Sequence, residues 1–346
     1  MKVVGFLSNK LTLRGTEVAL YDYAHYNETL LNNKSIIITR EYEMVKCEQD
    51  ASLDAYNKFT KRFPVYYYSN QQDIDNIIDY FGITHLYIIK SGYDDGLYPS
   101  RELGNHFKTL GIHCVFETRF PHPTPLRYKR VYATISEDNN KRLNTNVPVV
   151  PHMIDTPTSN QCGSSTVNTS NLRESLNIPK DAIVFGRYGG METFDVKCAY
   201  EAIVKHILSP SGKNPPSYFL FMNTYRFINE NHPRIIYLPG TSDNEYKEKF
   251  INTCDAMIHA RLQGESFGLA CGEFSIRGKP VITYGGSSEN QHIRILQEVP
   301  ESVRIYNNTD ELVNIFKNFH VNKFTSPYEK YNPSNVMKIF DEVFLN

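Results

Sequence analysis

Two glutamates eight positions apart are the residues of this chain whose type and spacing most clearly suggest chemistry. Glu265 stands directly before the turn Ser266-Phe267-Gly268, and Glu273 follows Glu265 by eight residues, or about two helical turns, on nearly the same face. An ionised carboxylate accepts several hydroxyl hydrogen bonds, so it can hold a sugar or a ribose in one orientation. Backbone N–H groups at a helix start after the turn would add a phosphate site. The spacing therefore predicts that both acids bind one elongated, hydroxyl-rich ligand.

The flanking sequence predicts how these acids are positioned. The apolar run 256–260 is typical of a strand, and 281–284 predicts the next strand after the glycine stop at Gly278. The order is strand, loop with an acid, helix, glycine and strand. This order places Glu265 at the carboxyl end of a parallel strand, where open α/β sheets bind their ligands.

A longer stretch around the two acids matches a known motif. Its ten matching residues are Glu265, Phe267, Gly268, Leu269, Glu273, Gly278, Lys279, Pro280, Val281 and Ile282. Here the chain resembles the retaining, nucleotide-sugar-dependent glycosyltransferases of family 4, which carry a Glu-x7-Glu motif. The resemblance covers most of the C-terminal half and is loose in the N-terminal half. It implies the GT-B architecture, in which two Rossmann-like, doubly wound α/β domains face each other across a cleft.

The resemblance also implies roles for the residues of the motif. Glu265 would be a catalytic residue that binds hydroxyls of the donor sugar, and Glu273 would bind the ribose hydroxyls of the nucleotide. Ser266, Phe267 and Gly268 would line the same donor site. Outside such a motif, either acid would be an ordinary solvated carboxylate of a loop or a helix.

A glycine-rich segment, 186–190, opens the second half of the chain. It contains Gly186 and Arg187, and Lys197 follows ten residues after Arg187, near the start of a predicted helix. Family members carry an Arg and a Lys at comparable places, and both reach the donor diphosphate, so the resemblance implies donor binding by all three residues. Fixed cations there stabilise the charge that grows on the leaving diphosphate, and they replace a metal ion. The alternatives are a loop salt bridge for Arg187 and a solvated helix residue for Lys197.

The resemblance assigns three further residues to the donor site. Leu238 ends a predicted strand at which family members read the base largely with backbone atoms. Gly15 and Thr16 follow the first strand, where the family often has two adjacent glycines close to the phosphate or the acceptor. This chain has only one glycine there, and an N-cap role for Thr16 is the alternative interpretation.

The catalytic position of the N-terminal half has two candidates. The family frequently places a histidine just after the strand predicted here at 113–116. Glu117 is nearest in register, whereas His122 is the only imidazole nearby. His122 would stabilise the developing sugar cation or orient the acceptor, or else serve as a structural loop residue between two prolines. Both candidates stay open.

Alternating strand and helix patterns run through both halves and predict parallel sheets covered by helices. We predict an N-terminal acceptor domain over 1–155, a linker or loop over 156–171, and a nucleotide-sugar-binding domain over 172–331. The resemblance implies that the last helix, within 332–346, packs back on the N-terminal domain. The predicted strands are 3–7, 35–39, 64–68, 85–89, 113–116, 131–135, 183–185, 218–222, 235–238, 257–259, 281–284 and 303–306.

Composition narrows the classes of function. A length of 346 residues suits two domains, and a net charge of −1 gives no electrostatic reason to expect nucleic-acid binding. Six cysteines without a Cys-x-x-Cys pair disfavour a disulfide framework or a zinc site and favour the cytoplasm. No signal segment and no apolar run of about 20 residues is visible, whereas peripheral contact with a membrane stays open. Asp73-Ile74-Asp75 matches a metal motif formally, but it opens an amphipathic helix, so no metal site is expected.

Together these features predict a retaining glycosyltransferase that needs neither a metal nor a cofactor. It would move a sugar from a UDP- or GDP-sugar to a hydroxyl of a glycan, a lipid or another acceptor. The alternatives are a non-catalytic sugar-nucleotide-binding protein of the same fold, a sugar-nucleotide epimerase, and a phosphorylase. A dehydrogenase is disfavoured because no Gly-x-Gly-x-x-Gly follows the first strand of either half. The oligomeric state stays undefined at this level.

Overall fold

The computed structural model of this protein describes residues 1–90, 98–99, 103–114, 127–155, 170–209 and 216–346. These residues form two compact units. The N-terminal unit comprises Met1–Met153 and Tyr331–Asn346, and the C-terminal unit comprises Ile154–Lys330. Each unit is built on one six-stranded parallel sheet.

The sheet of the N-terminal unit consists of β1 Val3–Leu7, β2 Lys34–Thr39, β3 Val65–Tyr67, β4 His85–Lys90, β5 Thr109–Cys114 and β6 Lys129–Thr134. Their order in the sheet is β3-β2-β1-β4-β5-β6. Ile36, Ile37 and Ile38 of β2 are all fully buried. Consecutive buried residues of this kind are typical of a parallel strand that is covered on both faces.

Helices connect these strands, and their described members are α1 Gly15–Thr29, α2 Tyr42–Val45, α3 Leu53–Arg62, α4 Gln71–Phe81 and α5 Glu137–Arg142. Helix α4 explains the Asp-x-Asp sequence. The Asp73 carboxylate accepts hydrogen bonds from the backbone N–H groups of Ser69 (2.8 Å) and Asn70 (3.2 Å), which forms a capping box. Asp73 therefore stabilises the start of α4.

The C-terminal unit contains β7 Ile183–Tyr188, β8 Ser217–Met222, β9 Ile235–Leu238, β10 Ala256–His259, β11 Gly264–Glu265, β12 Val281–Tyr284, β13 Glu289–Asn290 and β14 Val303–Tyr306. Six of them form the main sheet in the order β14-β12-β10-β7-β8-β9, and β11 pairs with β13 separately. Counted along the chain within each unit, both main sheets have the order third, second, first, fourth, fifth, sixth. This is the strand order of the Rossmann fold.

The described α-helices of this unit are α6 Lys197–Leu208, α7 Asn244–Thr253, α8 Leu269–Ser275, α9 Gln291–Gln297 and α10 Thr309–Lys317. Short 3-10 helices lie at Pro300–Ser302 and Glu329–Tyr331. The chain ends with α11 Pro333–Phe340 and a π-helical turn, Asp341–Leu345. Phe340 packs on Tyr23 (ring centroids 4.9 Å apart), and both Phe340 and Phe344 pack on Tyr87, so this last segment belongs to the N-terminal unit.

All twelve predicted strands are present, with two substantial corrections to their bounds. Strand β5 begins at Thr109 instead of 113, because its Gly111 and His113 interrupt the apolar pattern while pairing with β4 and β6 fixes the backbone. Strand β7 extends to Tyr188 because Gly186 and Arg187 pair with β8. Within the described ranges, no helix is long and apolar enough to cross a bilayer.

Candidate functional site

The short ladder of β11 and β13 holds Glu265 just beyond the carboxyl end of β10. Gly264 makes this ladder feasible. Its φ of +75° is a conformation that favours glycine, and a Cβ there would lie only 1.9 Å from the Glu289 carbonyl oxygen. Glu265 therefore lies beyond the carboxyl end of β10, as predicted, but in a two-residue strand instead of the predicted loop.

The Glu265 carboxylate is partly buried between two basic side chains. His259 Nε2 lies 3.3 Å from Oε1, Arg261 Nη1 lies 3.1 Å from Oε2, and the Glu265 side chain is 27% exposed. Burial by itself would raise the pKa of Glu265, but the hydrogen bond with His259 and the positive charge of Arg261 outweigh burial and lower the pKa to about 2. Glu265 is thus ionised at neutral pH.

A buried hydrogen-bond chain supports His259 from behind. His259 Nδ1 lies 2.9 Å from Thr283 Oγ1, and the same hydroxyl lies 3.0 Å from His292 Nε2. All three side chains are buried. Burial lowers the pKa of His292 to about 3, so its ring is neutral.

The hydrogen bonds of these groups form a continuous chain. His259 contacts Glu265 through Nε2 and the Thr283 hydroxyl through Nδ1. The same hydroxyl bridges to His292 Nε2. We call Glu265, His259, Thr283 and His292 the carboxylate–histidine chain. It orients one face of the Glu265 carboxylate and leaves the remaining lone pairs to a ligand.

The turn after Glu265 is largely structural. The Phe267 carbonyl accepts a hydrogen bond from the Tyr328 hydroxyl (2.8 Å), and the two rings pack edge to face. Gly268 has a φ of +86°, and a Cβ there would lie 2.8 Å from His292 Cβ. Ser266 is partly exposed. Of the three turn residues, Ser266 is therefore the one whose side chain is best placed to contact a ligand.

The second glutamate of the motif is held by a lysine. Glu273 lies in α8, and its Oε1 is 2.5 Å from Lys247 Nζ of α7. Both side chains are only partly exposed. Glu273 is thus an oriented carboxylate in the C-terminal unit, as its predicted role requires, but it carries a cation that the motif did not suggest.

Arg187 is buried inside β7, with 3% of its surface exposed. Its Nη1 donates to the Asn223 carbonyl (3.1 Å) and to Thr224 Oγ1, and its Nη2 donates to the Gly190 carbonyl (2.8 Å) and to Thr193 Oγ1 (2.6 Å). Burial lowers the pKa of Arg187 to about 10, although the negative charge of Glu265 acts to raise it. The guanidinium therefore stays charged at neutral pH. Among the described residues, its hydrogen-bond partners are neutral oxygens, which disfavours the loop salt-bridge alternative.

The other predicted donor residues of this unit lie at three separate places. Lys197 begins α6 with a side chain that is 88% exposed, and its Nζ is 3.8 Å from Glu201 Oε1. Gly186 lies within β7, where a Cβ would be 2.1 Å from Cys254 Sγ, so packing by itself accounts for this glycine. The carbonyl of Leu238, at the end of β9, accepts from the Asn223 N–H (3.1 Å).

In the N-terminal unit, Gly15 and Thr16 are the first two residues of α1. The N-cap residue is Arg14, so the N-cap alternative for Thr16 is wrong. Thr16 lies inside the helix because Thr12 organises the preceding turn: its Oγ1 accepts the Arg14 N–H and donates to Glu17. Glu117 and His122 lie outside the described residues.

Sequence reasoning missed His259, Arg261, Lys247, Thr283 and His292. A signal existed for the first two, because a histidine and an arginine directly follow the apolar core of a predicted strand. No local pattern points to the other three, because Thr283 reaches the site through pairing of β10 with β12, His292 through α9 and Lys247 through α7.

Comparisons with known proteins bear on the fold. No protein-family model and no curated protein matches the sequence. The match with a glycosyltransferase from Rickettsia africae covers 99% of this chain and 94% of that protein, with 12% identity and a TM-score of 0.62. The match with Anabaena HepE, solved with UDP and glucose, covers 99% of this chain and 95% of HepE, with 14% identity and a TM-score of 0.60. The match with the pneumococcal O-GlcNAc transferase GtfA, solved with UDP and GlcNAc, covers 99% of this chain and 98% of GtfA, with 8% identity and a TM-score of 0.61.

These matches extend over nearly the whole chain and include both parallel sheets. Identities of 8–14% carry a conclusion about architecture only. The chain therefore has the GT-B fold of these glycosyltransferases, with two Rossmann-like α/β units.

Proposed function

We propose that this protein is a glycosyltransferase that moves a sugar from a nucleotide sugar to a hydroxyl group of an acceptor. The observation that carries the proposal is Glu265, an ionised carboxylate that His259 and Arg261 orient at the carboxyl end of β10 in a GT-B fold. A carboxylate fixed on one side offers its free lone pairs to neighbouring sugar hydroxyls. Glu265 is then the residue that orients the donor sugar.

The favoured donor is a UDP-sugar. HepE was solved with UDP and glucose, and GtfA with UDP and GlcNAc. Both have the fold of this chain, which supports UDP over the GDP alternative that the sequence left open. Glu273, held by Lys247, would bind the ribose hydroxyls, and backbone groups near Leu238 would contact the base.

We further propose that transfer proceeds with retention of the anomeric configuration, without a metal ion or a cofactor. The leaving phosphate oxygen would help to deprotonate the acceptor on the same face of the sugar. Arg187 supplies a buried positive charge that is fixed before the reaction starts. Two results would contradict this course: a trapped covalent glycosyl-enzyme, or an inverted product by NMR.

The acceptor would bind to the N-terminal unit, and the resemblance suggests a glycan or a lipid-linked molecule, with or without peripheral membrane contact. A cytoplasmic location is part of the same proposal. It is supported by free thiols at Cys47, Cys198, Cys254 and Cys271 within the described ranges. Fractionation of cells that express the full chain tests the location.

Calorimetric titration with UDP, GDP, ADP and dTDP, each with and without Mg²⁺, tests the donor site. We expect UDP to bind equally well in both conditions. The Glu273→Gln variant should weaken UDP binding by about tenfold, because it removes a charge-assisted hydrogen bond. Glu301→Gln, which changes an exposed acid, is the matched control and should bind UDP as the wild type does. Absence of UDP binding, or binding only with Mg²⁺, would contradict the proposal.

A second candidate function, a non-catalytic protein that binds sugar nucleotides, is supported by the single glycine at Gly15, where the resembled family often has two adjacent glycines. Incubation with UDP-sugars and a panel of acceptors separates the candidates. A transferase releases UDP and forms a glycoside, whereas a binder returns the donor unchanged. An epimerase would instead return an altered UDP-sugar without any acceptor.

A further inference from the structure

The leaving group of the proposed reaction is a diphosphate, and its growing negative charge has to be met by cations of the donor site. The resemblance assigns this task to Arg187 and Lys197. For this task a side chain needs a fixed positive charge and free N–H donors, and neither Arg187 nor Lys197 has both in the structure. The inference below rests on the proposed function and deepens it.

Arg187 has little capacity left for a ligand. A guanidinium has five N–H donors, and the four on Nη1 and Nη2 of Arg187 bind oxygens of the loops that follow β7 and β8. Arg187 therefore acts on a diphosphate mainly through its charge and through the loops that it orders.

Lys197 is also poorly suited to this role. Its side chain is 88% exposed at the start of α6, and its nearest carboxylate is Glu201, on the same helix. A solvated, flexible ammonium is screened by water and ions, so it contributes little to the stabilisation of a charge inside a site.

Arg261 has the features that Lys197 lacks. It lies two residues beyond β10, its side chain is 23% exposed, and its guanidinium binds Glu265 Oε2 through Nη1 (3.1 Å) and Gln263 Oε1 through Nη2 (3.0 Å). Three of its five N–H donors make no hydrogen bond to the described residues. Glu265 and Gln263 hold the group in place, and a planar guanidinium suits two phosphate oxygens at once.

We propose that Arg261 is the second cation of the donor site and binds the diphosphate directly. One guanidinium would then contact both the leaving diphosphate and the carboxylate that orients the sugar. Arg187 would contribute the first, buried charge, and Lys197 would lie outside the site.

A series of ligands that differ only in phosphate number tests this assignment. Calorimetry would compare uridine, UMP and UDP on the wild type, Arg261→Gln, Lys197→Ala and Lys323→Ala, the last an exposed control. We expect Arg261→Gln to weaken UDP binding at least about tenfold and to leave uridine binding unchanged, because only the phosphates lose a partner. Lys197→Ala should bind all three ligands as the control does. Loss of UDP binding in Lys197→Ala with normal binding in Arg261→Gln would overturn the assignment.

Two further measurements separate direct binding from indirect effects. If Arg261 acted only by positioning Glu265, then Glu265→Gln would lose UDP affinity to the same extent as Arg261→Gln, and this result would overturn the proposal. Arg261→Lys should recover part of the UDP affinity if charge matters. Thermal unfolding of each variant identifies loss of folding. Failure of the wild type to bind UDP would overturn the proposed function itself, whereas the outcomes above reject only Arg261.

Discussion

Each unit of this protein buries a pair of histidines, and the two pairs have different surroundings. In the N-terminal unit, the rings of His113 and His152 lie 5.4 Å apart, and both face Tyr23 in an aromatic cluster. In the C-terminal unit, the rings of His259 and His292 lie 4.7 Å apart. Burial is similar in both pairs, so burial alone does not distinguish a structural histidine from a functional one.

The two histidine pairs differ in the group at the end of their hydrogen bonds. His113 Nδ1 pairs with the Tyr87 hydroxyl (2.6 Å), whose ring is covered by Phe340 and Phe344. The C-terminal pair is bridged by Thr283 and ends on Glu265, a carboxylate that is partly open to solvent. A buried histidine therefore suggests function when its outer nitrogen holds a group that a ligand can reach. The following predictions test this contrast.

The largest expected effect belongs to Glu265, at the open end of the carboxylate–histidine chain. Glu265→Gln should lower kcat/KM for sugar transfer by about 100-fold or more, because each hydrogen bond to a charged group contributes about 1.5–3 kcal/mol and at least two are weakened. Steady-state kinetics with a UDP-sugar measures this loss. The thermal midpoint should fall as well, because the ion pairs with His259 and Arg261 are lost, so kinetics are measured well below the midpoint of each variant, and Glu301→Gln serves as the control. Activity of Glu265→Gln within a few-fold of the wild type would contradict the assignment.

Acid should destabilise both units through their buried histidines. Burial lowers the pKa of His113 to about 4 from an ordinary value of 6.5, so the unfolded chain binds a proton between these pH values that the folded chain does not. The free energy of unfolding should therefore fall as pH falls through this window, by about 3 kcal/mol for His113. Urea titrations at several pH values measure the slope.

The His113→Gln variant isolates the contribution of His113. Its stability should depend less steeply on pH than that of the wild type, while UDP binding stays unchanged. His320→Gln, which alters an exposed histidine, should keep the full pH slope. Equal slopes in His113→Gln and the wild type would show that His113 is not a source of acid sensitivity.

Replacement of His259 should have a smaller effect on activity than replacement of Glu265, because His259 acts through it. His259→Gln keeps a donor but loses the defined ring geometry, so we expect kcat/KM to fall by about tenfold, roughly 1.4 kcal/mol. The hydrogen bond with His259 lowers the pKa of Glu265, and its weakening should move the acid limb of the pH–rate profile to higher pH. A uniform loss of activity with an unshifted profile would argue for a purely structural role.

The smallest expected effect concerns the hydroxyl that bridges the C-terminal pair. Thr283→Val keeps the shape and removes the bridge, which should reduce activity several-fold because the hydroxyl no longer orients the His259 ring. Thr283→Ser keeps the hydroxyl and should match the wild type closely. Kinetics of this matched pair, together with the pH profile, measures the effect. Equal activity of the two variants would show that the bridge does not influence Glu265.

Much of this architecture could be predicted from the sequence. Most strands of the two main sheets are short apolar runs bounded by polar or glycine positions, and Ile74 and Ile78 follow the period of a helix face, so local patterns were enough to predict them. The motif formed by Glu265, Phe267, Gly268 and Glu273 could also be recognised from the sequence, because these residues lie close together in the chain. The start of β5 and the pairing of β11 with β13 could not be predicted from the sequence, because pairing with residues distant in sequence decides them.

The sequence by itself determined the Rossmann-like alternation, the position of Glu265 after a strand, and the position of Asp73 in the first turn of an amphipathic helix. Each of these follows from residues within about ten positions of one another. Only the tertiary structure decided that Glu265 is held by His259 and Arg261, that Thr283 links His259 to His292, that Lys247 pairs with Glu273, and that Lys197 faces solvent. The physical reason is that the pKa of a carboxylate and the reach of a cation depend on neighbours in space, and sheet pairing and helix packing choose those neighbours.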